Sequence, residues 1–216
     1  MKPLLLGIDG LSYGKFMDCG ATFLLELVDT ASRGVTESEL PQKPCTSWRS
    51  VLGLGQSDDV YSSSITRSTG AVLVNVPLSN PTLGLCSRDL TSSPDIEAEV
   101  KCVESAIKDN IAQRPVIAGI TSIQRVSAQE LCRAYAVVDG FVSRLLGFVE
   151  DFIIFSSYGV LGADDLEPYG VYLATIARPR SRDTIRPEEV GTLFERLVYE
   201  ASERRGCQMA SFITLG

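Results

Sequence analysis

The chain has no histidine among its 216 residues. That absence removes Ser-His-Asp and Cys-His machinery and every imidazole metal ligand, so any chemistry rests on carboxylates, hydroxyls, thiols, Lys or Arg. The six cysteines, Cys19, Cys45, Cys86, Cys102, Cys132 and Cys207, include no CxxC pair, and without histidine they argue against a zinc site. Scattered in this way they are expected as buried thiols, with disulfides expected if the source is a hyperthermophile. No apolar run is long enough for a membrane helix. The short N-terminal apolar stretch turns polar without a cleavage-site pattern, so the expectation is a cytoplasmic chain with no membrane partner. A net charge of −7 disfavours a broad basic surface, and no nucleic-acid partner is expected. The phosphate-loop signature and the G-x-G-x-x-G fingerprint are missing too.

What is present is apolar substance, 44% of the residues, enough for one globular domain spanning 1–216. Leu4 to Gly10 runs apolar into an Asp-Gly pair, the pattern of a buried parallel strand that ends at a functional edge. Leu11 to Cys19 reads as a short loop. Thr22 to Ala31 reads as a helix ended by Arg33-Gly34, Val35 to Leu40 as a short strand, and Pro41 to Pro44 as a loop. Cys45 to Ser50 opens a helix, and Gln56 to Thr69 reads as a Ser-rich surface loop. Ala71 to Val76 is β-branched and reads as a central strand stopped by Pro77. Leu78 to Pro94 is a lid or a long connection. Helical spacing marks Ile96 to Gln113 and Ala128 to Val149, the second interrupted by Asp139-Gly140. Pro115 to Ile123, Asp151 to Ser156 and Gly170 to Ile176 read as strands, Pro187 to Arg204 as a helix, and Met209 to Leu215 as a final edge strand. This alternation predicts an α/β fold, a mostly parallel sheet with helices on both faces, with the strand ends after Asp9, Ile123 and Ser156 on one edge.

Two places carry candidate chemistry. Asp9 is expected at the carboxyl end of the first strand, where open α/β sheets place their sites; the bland reading is a turn or cap after that strand. The start of the Cys45 helix has free N–H groups that favour an anion, with Thr46, Ser47 and Arg49 as the binding candidates. The bland reading there is an ordinary capped helix with Trp48 in the core.

The order of these features resembles the alkaline phosphatase superfamily, and within it the type I phosphodiesterase/nucleotide pyrophosphatase branch. Leu-Leu-Leu-Gly-Ile-Asp-Gly is similar to the family's first strand, whose Asp binds a metal. Pro44 to Gly55 resembles the nucleophile segment, and Val74-Asn75-Val76-Pro77 with Asn80-Pro81 a strand and loop of microbial members. Tyr135 with Val138-Asp139-Gly140, Phe152 to Gly159, and Glu167 to Tyr172 resemble later segments in the same order. The resemblance implies two-metal hydrolysis by a hydroxyl nucleophile, and an alkaline-phosphatase-like core short enough to lack large cap insertions. Counting back from Gly55 without a gap puts Cys45 at the nucleophile position and Arg49 where sulfatases keep an Arg, with Ser47 replacing their proline. A one-residue gap puts Thr46 there instead. Of the metal ligands only Asp9 matches. Gln124, Ala128, Ser157, Tyr158 and Leu166 stand where the family has Asp or His, although Asp164 and Asp165 lie close to the last. One carboxylate does not hold two divalent cations.

Three readings follow. The first is a degenerate, metal-site-deficient phosphodiesterase- or phosphatase-like domain with a binding, regulatory or assembly role. It expects no cofactor, and as partner a small phosphorylated or anionic ligand or a protein. The second is a surviving phosphoric ester hydrolase that uses one divalent metal in a rebuilt site, or none, carried by a Thr46 or Cys45 nucleophile with Asp9 and Asp139, Asp164 or Asp165. The third is an unrelated Rossmann-like binding module.

Overall fold

The computed structural model describes residues 1–37, 44–55, 63–162, 165–178 and 184–213, with side chains described for the same residues apart from 44, 161, 162, 165 and 206–213. Among the described residues, seven strands form one sheet: β1 (Leu4–Ile8), β2 (Ser32–Glu37), β3 (Val72–Val74), β4 (Val116–Ile120), β5 (Phe152–Phe155), β8 (Tyr169–Ala174) and β9 (Thr184–Ile185). Their spatial order is β3-β4-β1-β5-β8-β2-β9, and β6 (Gly159–Gly162) with β7 (Asp165–Glu167) forms a separate hairpin. β1 lies between β4 and β5, parallel to both, with Ile8 opposite Ile120 and Gly7 opposite Phe155. Only β8 runs against its neighbours β5 and β2. The expected mostly parallel α/β architecture is therefore present, and the carboxyl ends of β1, β3, β4 and β5 share one edge.

Side-chain alternation along the strands sorts the core into two layers. Leu4, Leu6 and Ile8 of β1 face helices α1 (Tyr13–Asp18), α2 (Thr22–Thr30), α5 (Ile96–Asn110) and α6 (Leu131–Leu146). Leu5 faces the opposite layer, α3 (Pro44–Val51), α4 (Ser64–Thr69) and α7 (Pro187–Ile213). At about 25 cal/mol per Å² of apolar area, such two-sided burial makes β1, like β4, intolerant of a polar substitution.

Several sequence expectations are corrected. Leu11 to Cys19 contains helix α1, because Phe16 buries itself against the Tyr135 ring 6.2 Å away. Helix α2 ends at Thr30, and Arg33-Gly34 belongs to β2 rather than to its end. The expected strand over Val35 to Leu40 is β2 as far as Glu37, and residues 38–43 lie outside the described residues. Of Gln56 to Thr69, residues 56–62 also lie outside them, whereas Ser64–Thr69 is helical: Ser63 Oγ accepts from Thr66 N and Gly70 closes the helix at φ +63°. The Ala71 strand is an edge strand, not a central one. Met209 to Ile213 continues α7, since extending an existing helix is easier than starting a new element.

Asp139-Gly140 does not break α6. The Asp139 carboxylate instead accepts from Phe23 N and Leu24 N, capping the start of α2, whose own cap residue Ala21 has no side-chain acceptor. Four cysteines are not buried thiols but form two disulfides, Cys19–Cys132 and Cys86–Cys102. Cys45 is a free, half-buried thiol.

Candidate functional site at the carboxyl edge of the sheet

Asp9 follows β1 directly, its amide bonded to Ile120 O across β4, which carries its side chain to the carboxyl edge on the α3 side. The turn after it is clamped twice. Ser156 Oγ accepts from Gly10 N and Leu11 N, both at 3.1 Å, and donates to Tyr158 O. The Tyr135 hydroxyl donates to Gly10 O and accepts from Ser12 N. These bonds fix where the carboxylate points.

The Asp9 carboxylate is buried and holds one hydrogen bond, from the Trp48 indole N–H to Oδ1 at 3.2 Å. Among the described residues Oδ2 has no partner. Burial first, opposed by the indole bond and assisted by the Glu99 carboxylate, brings the Asp9 pKa from 3.8 up to about 7. Trp48 reaches this position because Gly7 makes room for it. A Cβ on Gly7 would lie 2.2 Å from the indole. The ring also meets Phe155 edge-on at 5.0 Å.

Tyr158 lies within electrostatic reach of Asp9. It is buried, its hydroxyl donates to Gln124 Oε1, and burial, followed by Asp9 and Cys45, pushes its pKa well above the ordinary tyrosine value. Cys45 thus lies within electrostatic reach of the Tyr158 hydroxyl, whereas Thr46, the other nucleophile candidate, is exposed. Ser47 is buried. Arg49 donates through Nε to Gly55 O at 3.0 Å.

The remaining candidates disperse. Ala128 is exposed before α6 and Leu166 is exposed on β7. Ser157 is buried beside Tyr158. Asp139 caps α2. Asp164 lies outside the described residues, as does the side chain of Asp165.

Sequence reasoning passed over Glu99. This α5 carboxylate is fully buried and accepts four hydrogen bonds. Oε1 takes Asn75 Nδ2 at 2.6 Å, Thr121 N at 2.8 Å and Thr121 Oγ1 at 2.9 Å, and Oε2 takes Ser122 N at 3.0 Å. Asn75, at φ +51°, also donates to Gly119 O and accepts from Thr82 Oγ1. A signal was available: Glu99 falls on the apolar stripe of its helix, between Ile96 and Val103.

Does this edge suit a divalent cation? Asp9 Oδ2 is a vacant lone-pair donor. The Trp48 indole N–H bonds Oδ1, the Tyr158 phenol and the Glu99 carboxylate lie within electrostatic reach, Glu99 is already taken by four donors, and among the described residues no group of three or more His, Cys, Asp or Glu converges. Such a set lacks both charge and ligand count, so the described residues do not fit a metal.

The class this architecture defines is the alkaline-phosphatase-like α/β fold. Among solved structures the chain is similar to PH0037 from Pyrococcus horikoshii, with a TM-score of 0.52 and 11% identity over 92% of this chain and 96% of that one. It is also similar to the periplasmic domain of EptC from Escherichia coli, solved in complex with Zn, with a TM-score of 0.54 and 12% identity over 91% of this chain and 82% of that one. At such identity the likeness concerns the fold. No protein-family model and no curated protein matches the sequence.

Proposed function

We propose that this chain is a phosphatase-like domain that serves in binding, regulation or assembly rather than in two-metal hydrolysis. The observation that carries the reading is the enclosure of Asp9. The one carboxylate matching the family's ligand set is buried and capped by an indole N–H, with the Tyr158 phenol and an already saturated Glu99 within its electrostatic reach, where a catalytic edge needs further free carboxylates or imidazoles. A small phosphorylated or anionic ligand is the partner class that the start of α3 suits, with Thr46, Ser47 and Arg49 as its contacts. No resident cofactor is required by this role.

One observation favours a second reading, a phosphoric ester hydrolase with Cys45 as nucleophile: its half-buried free thiol lies within electrostatic reach of the Tyr158 hydroxyl. Metal content of the purified protein, with bis-p-nitrophenyl phosphate turnover measured with and without Mn²⁺ or Zn²⁺, separates the two. The binding role expects no stoichiometric metal and no turnover. Turnover abolished by Cys45→Ala or Thr46→Ala establishes the hydrolase instead.

The two disulfides bear on where the protein works. Such bridges persist in oxidising compartments or inside hyperthermophiles, so a cytoplasmic location goes with the second of these.

A further inference from the structure

β3 is the edge strand of the sheet, yet its free side is covered. Leu83 to Leu85 runs alongside it and exchanges backbone bonds with it: Leu85 N to Leu73 O at 2.9 Å, Asn75 N to Leu85 O at 2.8 Å, and Val76 N to Leu83 O at 2.9 Å. The approach is so close that a Cβ on Gly84, at φ +88°, would lie 2.1 Å from Leu73 O. The next residue but one, Cys86, is bonded to Cys102 on α5. Cys102 stands one helical turn after Glu99, and it is exposed. The covering segment also carries Thr82, whose hydroxyl donates to Asn75 Oδ1 at 2.7 Å. One surface bridge thus sits astride the edge cover and the hydrogen-bond network that reaches the sheet's carboxyl end.

We infer that Cys86–Cys102 is an exchangeable redox latch. Its substrate class is a dithiol reductant, which attacks the bridge at Cys102, the more exposed of its two residues. The reductant's first thiolate forms a mixed disulfide with Cys102, and Cys86 leaves as a thiolate and takes a proton. The second thiol of the reductant then resolves the mixed disulfide, releasing Cys102 as a thiol and leaving the reductant as a disulfide, two electrons transferred in all. Opening frees Leu83 to Cys86 to leave β3, which exposes its N–H and C=O groups and withdraws Thr82 from Asn75. An uncovered edge strand is a template for pairing with another chain, so the latch couples thiol redox state to the surface the domain presents. Cys19–Cys132 has a different character. It joins the end of α1 to the first turn of α6, elements that already pack together through Phe16 and Tyr135.

The test is amide hydrogen exchange on the full chain, oxidised and after dithiothreitol, together with the Cys86→Ser/Cys102→Ser and Cys19→Ser/Cys132→Ser double variants. The latch predicts at least a tenfold loss of protection at Asn75, Val76 and Leu85 in the reduced protein and in the first variant. Leu5, Leu6 and Ile117 keep theirs, and the second variant keeps the edge protected. Unchanged protection at Asn75, Val76 and Leu85 overturns the latch. So does a uniform loss across the sheet, which would make the bridge a global staple. Iodoacetamide labelling and mass spectrometry read the exchange itself. Failure of dithiothreitol to open Cys86–Cys102 in the folded protein overturns it as well.

Discussion

Asp9 and Glu99 are both carboxylates, both buried, and both at the carboxyl edge of one sheet. Glu99 is met by four donors from Asn75, Thr121 and Ser122. Asp9 is met by one, with an oxygen left over. A buried acid whose lone pairs are filled is part of the frame, because its removal strands the donors around it. A buried acid left half-satisfied destabilises the frame and marks a candidate site. The contrast assigns architecture to Glu99 and leaves Asp9 as the candidate-site carboxylate.

The largest effect is expected at Glu99. Glu99→Ala leaves Asn75, Thr121 and Ser122 with buried donors at ~1–3 kcal/mol each, so unfolding in urea should show a loss on the order of 5 kcal/mol. A loss below about 1 kcal/mol would erase the contrast. Asp9 gives a pH signature of comparable size. Its pKa lies near 7 in the folded protein against an ordinary 3.8, so the native state holds the proton that the unfolded chain releases. Stability is then greatest below pH 4 as far as this group is concerned, and falls as pH rises toward and past 7, by on the order of 4 kcal/mol once ionisation is complete. Asp9→Asn should flatten that slope, measured as unfolding free energy from pH 4 to 8. A wild-type profile already flat through this window would show Asp9 to be charged and well solvated.

The smallest effect belongs to Asp139, a third acid that caps α2 from a neighbouring helix. Asp139→Ala should lose about 1 kcal/mol, with thermal unfolding as the readout, and should leave the Asp9 pH slope untouched. A change in that slope would tie α2 to the site.

Much of this arrangement was legible in the sequence. The continuous apolar run of β1 ending in Asp9 placed both a strand and an edge, and the helical stripes of α5 and α6 announced themselves through Val100, Ile107, Val138 and Val142. The short elements were not legible. β9 has two residues and β7 three, too few for a period to show. At the site, position identified Asp9, but its surroundings come from Trp48, Tyr158 and Gln124, which tertiary packing brings together. The disulfide pairs were equally hidden, since sequence separations of 113 and 16 residues say nothing about proximity. Glu99 was hidden differently: a Glu in an amphipathic helix looks like a solvated charge until its place on the apolar stripe is weighed.

The glycine under Trp48 also yields a search key. Gly7 does not tolerate a side chain while the indole stands over it, whereas at Gly119 it is Asn75 O, 2.6 Å from an added Cβ, that leaves no room. An indole lost by substitution would leave the space over Gly7 unfilled, so these two positions are expected to change together. Chains that share this folded edge should carry glycine at the place of Gly7 wherever they carry tryptophan in the helix, and a bulkier residue on that strand should coincide with a smaller one at the place of Trp48. That covariation would recognise distant relatives where overall identity is too low to do so.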